Sequence, residues 1–319
     1  VSGIHPPDPP FSETTERLRR AVDTQVLYNI FHQEAFGFNI AMYFYLTGLS
    51  AGSFILSTLA YGFGMNQYKA IGRVGIVLAT LLLVIAPFFL LIHIGMPHRA
   101  WHLFVYLNMS SPITWGSFLL VLYPINCIIY GYFMFKENMK LTRIFGFIGI
   151  PLAISVHGYT GFILAFGKAR ALWNTALMPI LFLASAIVSG IALMILVVWI
   201  KDRFFSRSKK IDLELLTNLG KLLAWMIVFD LFLVGSDLLV LVISHSDAQA
   251  AAHLILGGRF SIMFLLIENL LGKIIPFILL VVPRFRTLTT MIIASILVVV
   301  GIFFMRYVVV AAGEFIPLL

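Results

Sequence analysis

One cysteine stands in the whole chain, Cys127, and it lies inside an apolar run. A lone thiol makes no internal disulfide, no thiolate metal site and no iron–sulfur cluster. Any electrons handled here are therefore carried by another chain or another cofactor. Charge is scarce as well, at 11% of residues against about 25% in an average soluble domain. The short segments of alternating polarity that mark a transmembrane barrel are missing. No cleavable secretory signal is expected either, because the first apolar run follows some 37 polar or amphipathic residues and is itself long enough to span.

What the chain has is apolar sequence in long stretches, 61% hydrophobic residues with a mean hydropathy of +1.00. Eight runs stand out: Phe38 to Gly62, Gly72 to Gly95, Ile113 to Phe135, Leu141 to Phe166, Thr175 to Ile200, Gly220 to Ile243, Gly258 to Val282 and Leu288 to Ala312. Each has the ~20 residues that a helix rising 1.5 Å per residue needs to cross a ~30 Å hydrocarbon layer. Backbone groups in lipid must pair within their own segment, so runs this long are helices. The fold class expected is an all-α polytopic membrane protein.

The net charge of +8 is informative through its placement. Loops after the first, third, fifth and seventh runs hold Lys69, Arg73, Lys136, Lys140, Arg143, Lys201, Arg203, Arg207, Lys209, Lys210, Lys221, Arg284 and Arg286, thirteen cations. The other face holds seven: Arg17, Arg19, Arg20, Arg99, Lys168, Arg170 and Arg259. The positive-inside rule then puts the first set in the cytoplasm and both termini outside. Basic residues in short loops at membrane edges do not suggest nucleic-acid binding. Trp101, Trp115 and Trp173 at the outer boundary, with Trp199 and Trp225 near the inner one, form the expected aromatic belt.

Residues 1–37 read as an extramembrane arm, extended through Pro6 to Pro10 and then helical from Ser12 to about Phe31, with Leu18, Val22, Val26 and Ile30 on one stripe. The eight helices divide into two four-helix bundles. Residues 38–200 contain the first, 201–219 form a cytoplasmic loop, and 220–319 carry the last three helices, against which the fifth, 175–200, packs.

Polar side chains collect at one depth near the outer face. Asn39 and Tyr43 start the first helix, His93 ends the second, and His157, Tyr159 and Thr160 sit in the outer half of the fourth. Donors converging from three helices suit a quinone headgroup, whose two carbonyl oxygens need donors and whose redox change exchanges two protons. Phe36, Phe38, Phe104 and Met109 could supply apolar walls. His157 and Tyr159 point roughly 200° apart on an ideal helix, so Tyr159 is placed toward the quinone and His157 in packing. Bland readings compete: belt aromatics for Tyr43 and Tyr106, a helix start for Asn39, an interhelical bond for His93, and gap-filling for the methionines.

The stretch HIGMPHRAW, His93 to Trp101, resembles the H-x-x-x-P-x-R-x-W segment of the NrfD and polysulfide reductase family of membrane subunits. Tyr159 to Gly161 followed by WNTALMPILF from Trp173 is similar to that family's second signature, MYFYLTGLSAG from Met42 to its opening helix, and MRYVVVAAG from Met305 to its last. The resemblance implies a subunit without haem or iron–sulfur cluster of its own that binds menaquinone or ubiquinone in a bacterial or archaeal cytoplasmic membrane. It further implies electron exchange with a ferredoxin-like iron–sulfur subunit on the outer face, serving a molybdopterin or multihaem cytochrome c catalytic subunit, and no activity alone. Carried over, Tyr159 and His93 are the catalytic candidates, and Asn39, Tyr43, His93, Arg99, Tyr159 and Thr160 the quinone-binding ones.

Five charges lie within the last three runs: Asp230, Asp237, Glu268, Lys273 and Arg306. Each costs about 2.5–3.5 kcal/mol at mid-membrane on insertion scales, so each needs a partner or water. Glu268 and Lys273 are five apart, about 140° around an α-helix, and are not expected to pair. The expected pairs are Asp237 with Arg306, and Asp230 with Lys273 or Glu268. Together they form a proton path or an ion-pair set that fixes packing. Two other classes compete: a haem b quinone oxidoreductase, which needs a second histidine pair not found here, and a transporter or channel, which would show broken helices in matching places.

Overall fold

The computed structural model describes residues 36–65, 68–205 and 213–315. The arm expected to be helical from Ser12 to Phe31 lies outside the described residues. Besides a single helical turn at His102–Val105, the helices are α1 (Phe38–Tyr61), α2 (Lys69–His93), α3 (Pro112–Phe135), α4 (Met139–Ala165), α5 (Met178–Phe205), α6 (Leu213–Ile243), α7 (Ser246–Leu256), α8 (Ile262–Val281) and α9 (Leu288–Phe315). All except α7 are long and apolar enough to cross a membrane, eight among the described residues. This is a multi-pass membrane protein.

Two ends differ from the runs by five residues or more. The fifth helix continues to Phe205 and the sixth begins at Leu213, so both flanks of the loop expected over 201–219 are helical. Hydropathy marks only the part of a helix that sits in lipid, while Lys201, Glu214 and Lys221 are good helix formers that carry the coil beyond it. The short α7 follows a spacing of its own: Ala248, Ala251, Ala252 and Ile255 form its buried stripe.

Burial identifies the central helices. Of the most apolar window, 89% is buried in α1 and 67% in α5, against 22% in α6. The first helix packs on α2, α4, α5 and α9, and the fifth on α1, α2, α4, α6 and α9. Lipid tails are as apolar as leucine, so helices associate through close packing and hydrogen bonds. At the α1–α5 crossing a Cβ on Gly52 would stand 2.7 Å from Gly190 Cα, a backbone approach that only glycine permits. Ser50 and Ser57 donate to the Ala79 and Gly72 carbonyls, at 2.8 and 2.7 Å, and fasten α1 to α2.

One end of the molecule is clasped. Phe36 N–H donates to Glu314 Oε1 at 2.6 Å, Arg170 Nη1 to the Glu314 carbonyl at 2.9 Å, and Trp173 Nε1 to the Val309 carbonyl at 2.7 Å. Trp173 is thus buried, at 5% exposure, and leaves the aromatic belt to which the sequence assigned it. Trp101 and Trp115 stay exposed.

Candidate functional site

At the clasped end α1 to α4 and the loop after α2 enclose a cavity of about 560 Å³, within the range of ~300–1,000 Å³ usual for small-molecule sites. The loop is built to fold over it. Gly95 takes a φ of +74°, turning the chain at the end of α2, and Pro97 opens a single 3-10 turn over Pro97–Arg99. Trp115 Nε1 donates to the Met109 carbonyl at 3.0 Å and ties the far side of the loop to α3.

Tyr43 from α1, His93 from α2, Arg99 from the loop and Tyr159 from α4 all line the cavity. Phe36 lines it too, its ring 6.2 Å from that of His93 and 5.7 Å from that of Trp173. Sequence reasoning did not select His102, Ser117 or Tyr106 for this site, yet all three face it. Their signal was proximity: each falls within the loop or the first turns that follow HIGMPHRAW. The remaining lining is apolar, from Ile40, Phe44, Leu90, Leu103 and Leu120 among others. Hydroxyl, imidazole and guanidinium donors in an apolar chamber are equipped to orient a flat, carbonyl-bearing ligand and to exchange protons with it.

Two candidates stand apart. Asn39 is half-buried and does not line the cavity. Thr160 is buried, with its hydroxyl donating to the His157 carbonyl at 2.7 Å. That bond turns Thr160, about 100° further around the helix than Tyr159, into the packing rather than the cavity. Among the proposed apolar walls, Phe38, Phe104 and Met109 are exposed. His157 is fully buried against Gly48, and neither of its ring nitrogens has a hydrogen-bond partner among the described residues.

The charges of α6, α8 and α9 meet in the interior. Lys273 Nζ lies 2.9 Å from Asp230 Oδ2 and 3.0 Å from Glu268 Oε1, with all three side chains buried. The Glu268–Lys273 pair was not expected on α-helical geometry. It forms because Ile262–Ile274 is wound as a π-helix with i→i+5 hydrogen bonds, in which five residues make roughly one turn. The expected Asp237–Arg306 pair does not form. Arg306 instead donates through Nη2 to the Phe182 carbonyl at 2.8 Å and Ser185 Oγ at 2.7 Å, its guanidinium 3.8 Å from the Phe182 ring centroid. It remains within electrostatic range of Asp230, Glu268 and His157. Asp237 and Glu268 together line a small cavity of about 40 Å³ among Met178, Leu181 and Met305. That is room for about one water molecule. Asp237 Oδ1 and Glu268 Oε2 are buried there without a protein partner among the described residues.

A family model described as polysulphide reductase, NrfD, matches residues 27–317. A selenate reductase subunit of Mesobacillus selenatarsenatis is 30% identical over 89% of this chain and 75% of its own length. The Hdr-like menaquinol oxidoreductase integral membrane subunit of Archaeoglobus fulgidus is 30% identical, over 86% and 69%. A polysulfide reductase polypeptide of Wolinella succinogenes is 28% identical, over 86% and 93%. With its eight spans and a match over nearly its whole length, the chain belongs to the NrfD polysulphide reductase family of membrane subunits.

Proposed function

We propose that this chain is the quinone-reacting membrane subunit of a respiratory oxidoreductase complex in a bacterial or archaeal cytoplasmic membrane. The observation that carries the reading is the single cavity that gathers Tyr43, His93, Arg99 and Tyr159 from three helices and one loop. A relative named as a menaquinol oxidoreductase subunit supports quinol as the ligand class. A quinol, when bound, supplies two electrons and two protons on oxidation, and the quinone takes up the same on reversal. Tyr43 and Tyr159 donate hydrogen bonds to the two oxygens. His93 accepts or returns a proton, and Arg99 holds negative charge at the loop side. The apolar walls and the Phe36 ring exclude water.

Cys127 being the only cysteine, the electrons pass to or from a ferredoxin-like iron–sulfur subunit docked on the outer face, above the Gly95–Ser111 loop. That subunit serves a molybdopterin or multihaem cytochrome c catalytic subunit. The packing of α1–α4 and α5–α8 with α9 supports two bundles, α1 and α5 forming their common wall. Asp230, Asp237, Glu268, Lys273 and Arg306 form the proton path, with the small cavity between Asp237 and Glu268 holding its water.

The test is quinol-linked turnover of the intact complex carrying Tyr159→Phe or His93→Ala. Loss of a positioned proton-transfer group costs ~10²-fold or more, and wild-type rates in both variants would remove the site.

A further inference from the structure

Beside this cavity, on the lipid-facing side, lies a more open groove of about 610 Å³ lined by Ser110, Pro112, Trp115, Gly158, Phe162 and Pro179, with Tyr159 at its inner wall. The two spaces lie on either side of the α3–α4 seam. At four places along the two helices a residue that lines the groove is followed by one that lines the cavity: Pro112 then Ile113, Trp115 then Gly116, Gly158 then Tyr159, Phe162 then Ile163. Successive residues turn about 100°, so each helix presents one edge to each space. Tyr159 alone belongs to both linings. Its ring occupies the gap left by Gly116, where even a Cβ would overlap it.

From this we infer a lateral port: a polyprenyl quinone reaches the cavity through the α3–α4 seam, Tyr159 is the movable partition, and the groove holds the isoprenoid tail while the headgroup lies inside. The inference rests on the quinone reading of the cavity and adds where the tail goes. An occupant with a tail is favoured by continuity. A partly closed cavity suited to a headgroup adjoins an apolar groove across one rotatable ring, and the groove's exposed aromatics, Phe162 and Phe166, face the bilayer from which such a ligand comes. Gly116 is then a positioning residue for Tyr159.

Gly158 gives a clean perturbation. A Cβ there meets nothing within 4 Å, and Gly158 lines the groove, so the side chain of Gly158→Phe has the groove to enter. Replacing a helical glycine also improves local propensity. Ser155→Phe, from an exposed position on the same groove, is the second filling variant. In the intact complex, the KM for a long-chain menaquinol is expected to rise about tenfold in either variant as tail contacts are lost. The kinetics of a tailless naphthoquinol should stay within about twofold of wild type. Unchanged KM for both quinols overturns the port, and so does a groove that proves to hold only phospholipid. Equal losses for both also overturn it, because the headgroup chamber rather than a tail site was then disturbed. Tyr159→Phe is measured alongside with the tailless quinol: no effect there would mean that the cavity reading itself had failed.

Discussion

Lys273 faces two buried carboxylates, and its removal is the sharpest perturbation that the interior offers. In Lys273→Met the thioether fills most of the space of the lysine stem, but Asp230 and Glu268 lose the ammonium 2.9 and 3.0 Å away and stand together without it. Breaking a buried ion pair by deleting one partner costs about 3–5 kcal/mol, because a charge is left uncompensated. Here two are left, so the upper part of that range is expected. Asp230→Asn is the milder change, since it leaves the Glu268–Lys273 pair intact and neutral. The double variant Asp230→Asn/Lys273→Met should recover a substantial part of the Lys273→Met deficit, giving a coupling energy of about 1–3 kcal/mol in the cycle. Equilibrium unfolding of the purified protein in detergent, followed by helical circular dichroism, measures all four species. Lys273→Met within about 1 kcal/mol of wild type, or a double variant as unstable as the sum of the singles, would refute the triad as drawn.

The α1–α5 crossing should tolerate no side chain: Gly52→Val is expected to lower stability by several kcal/mol, read in the same unfolding assay, since the Gly190 backbone cannot retreat. Gly313→Leu should do likewise by displacing the Trp173 indole from its place against α9. If the buried charges conduct protons, Asp237→Asn in the intact complex reconstituted into vesicles should slow proton uptake or release while quinol oxidation with an uncoupler present continues. Unaltered proton movement would leave Asp237 a packing residue only.

The eight spans were legible because a lipid environment imposes length and apolarity on every segment that crosses it. Tyr43, His93 and Tyr159 were legible for a related reason: polar residues at helix ends of equal depth must meet if the helices are neighbours. Depth does not fix azimuth, however. Asn39 and Thr160 have the right depth and point elsewhere, the Thr160 hydroxyl bonded back to the His157 carbonyl. The Glu268–Lys273 contact was hidden by assuming 3.6 residues per turn, where Ile262–Ile274 is wound more loosely. Arg306 was matched to Asp237 because both lie in the outer half of their helices, yet its geometry is set by a carbonyl, a serine hydroxyl and an aromatic face on α5. The α7 helix, eleven residues with an alanine-rich stripe, is too short to register as a run.

Occupancy of the α1–α4 cavity by quinone is the point on which the functional account turns, and photolabelling addresses it without any mutation. Irradiating the intact complex with an azido-naphthoquinone and mapping the modified peptides should place the label on the segments bearing Tyr43, His93 to Tyr106, and Tyr159, with excess unlabelled menaquinol suppressing it. Competable labelling confined to α5–α9, or none on those three segments, would contradict the account.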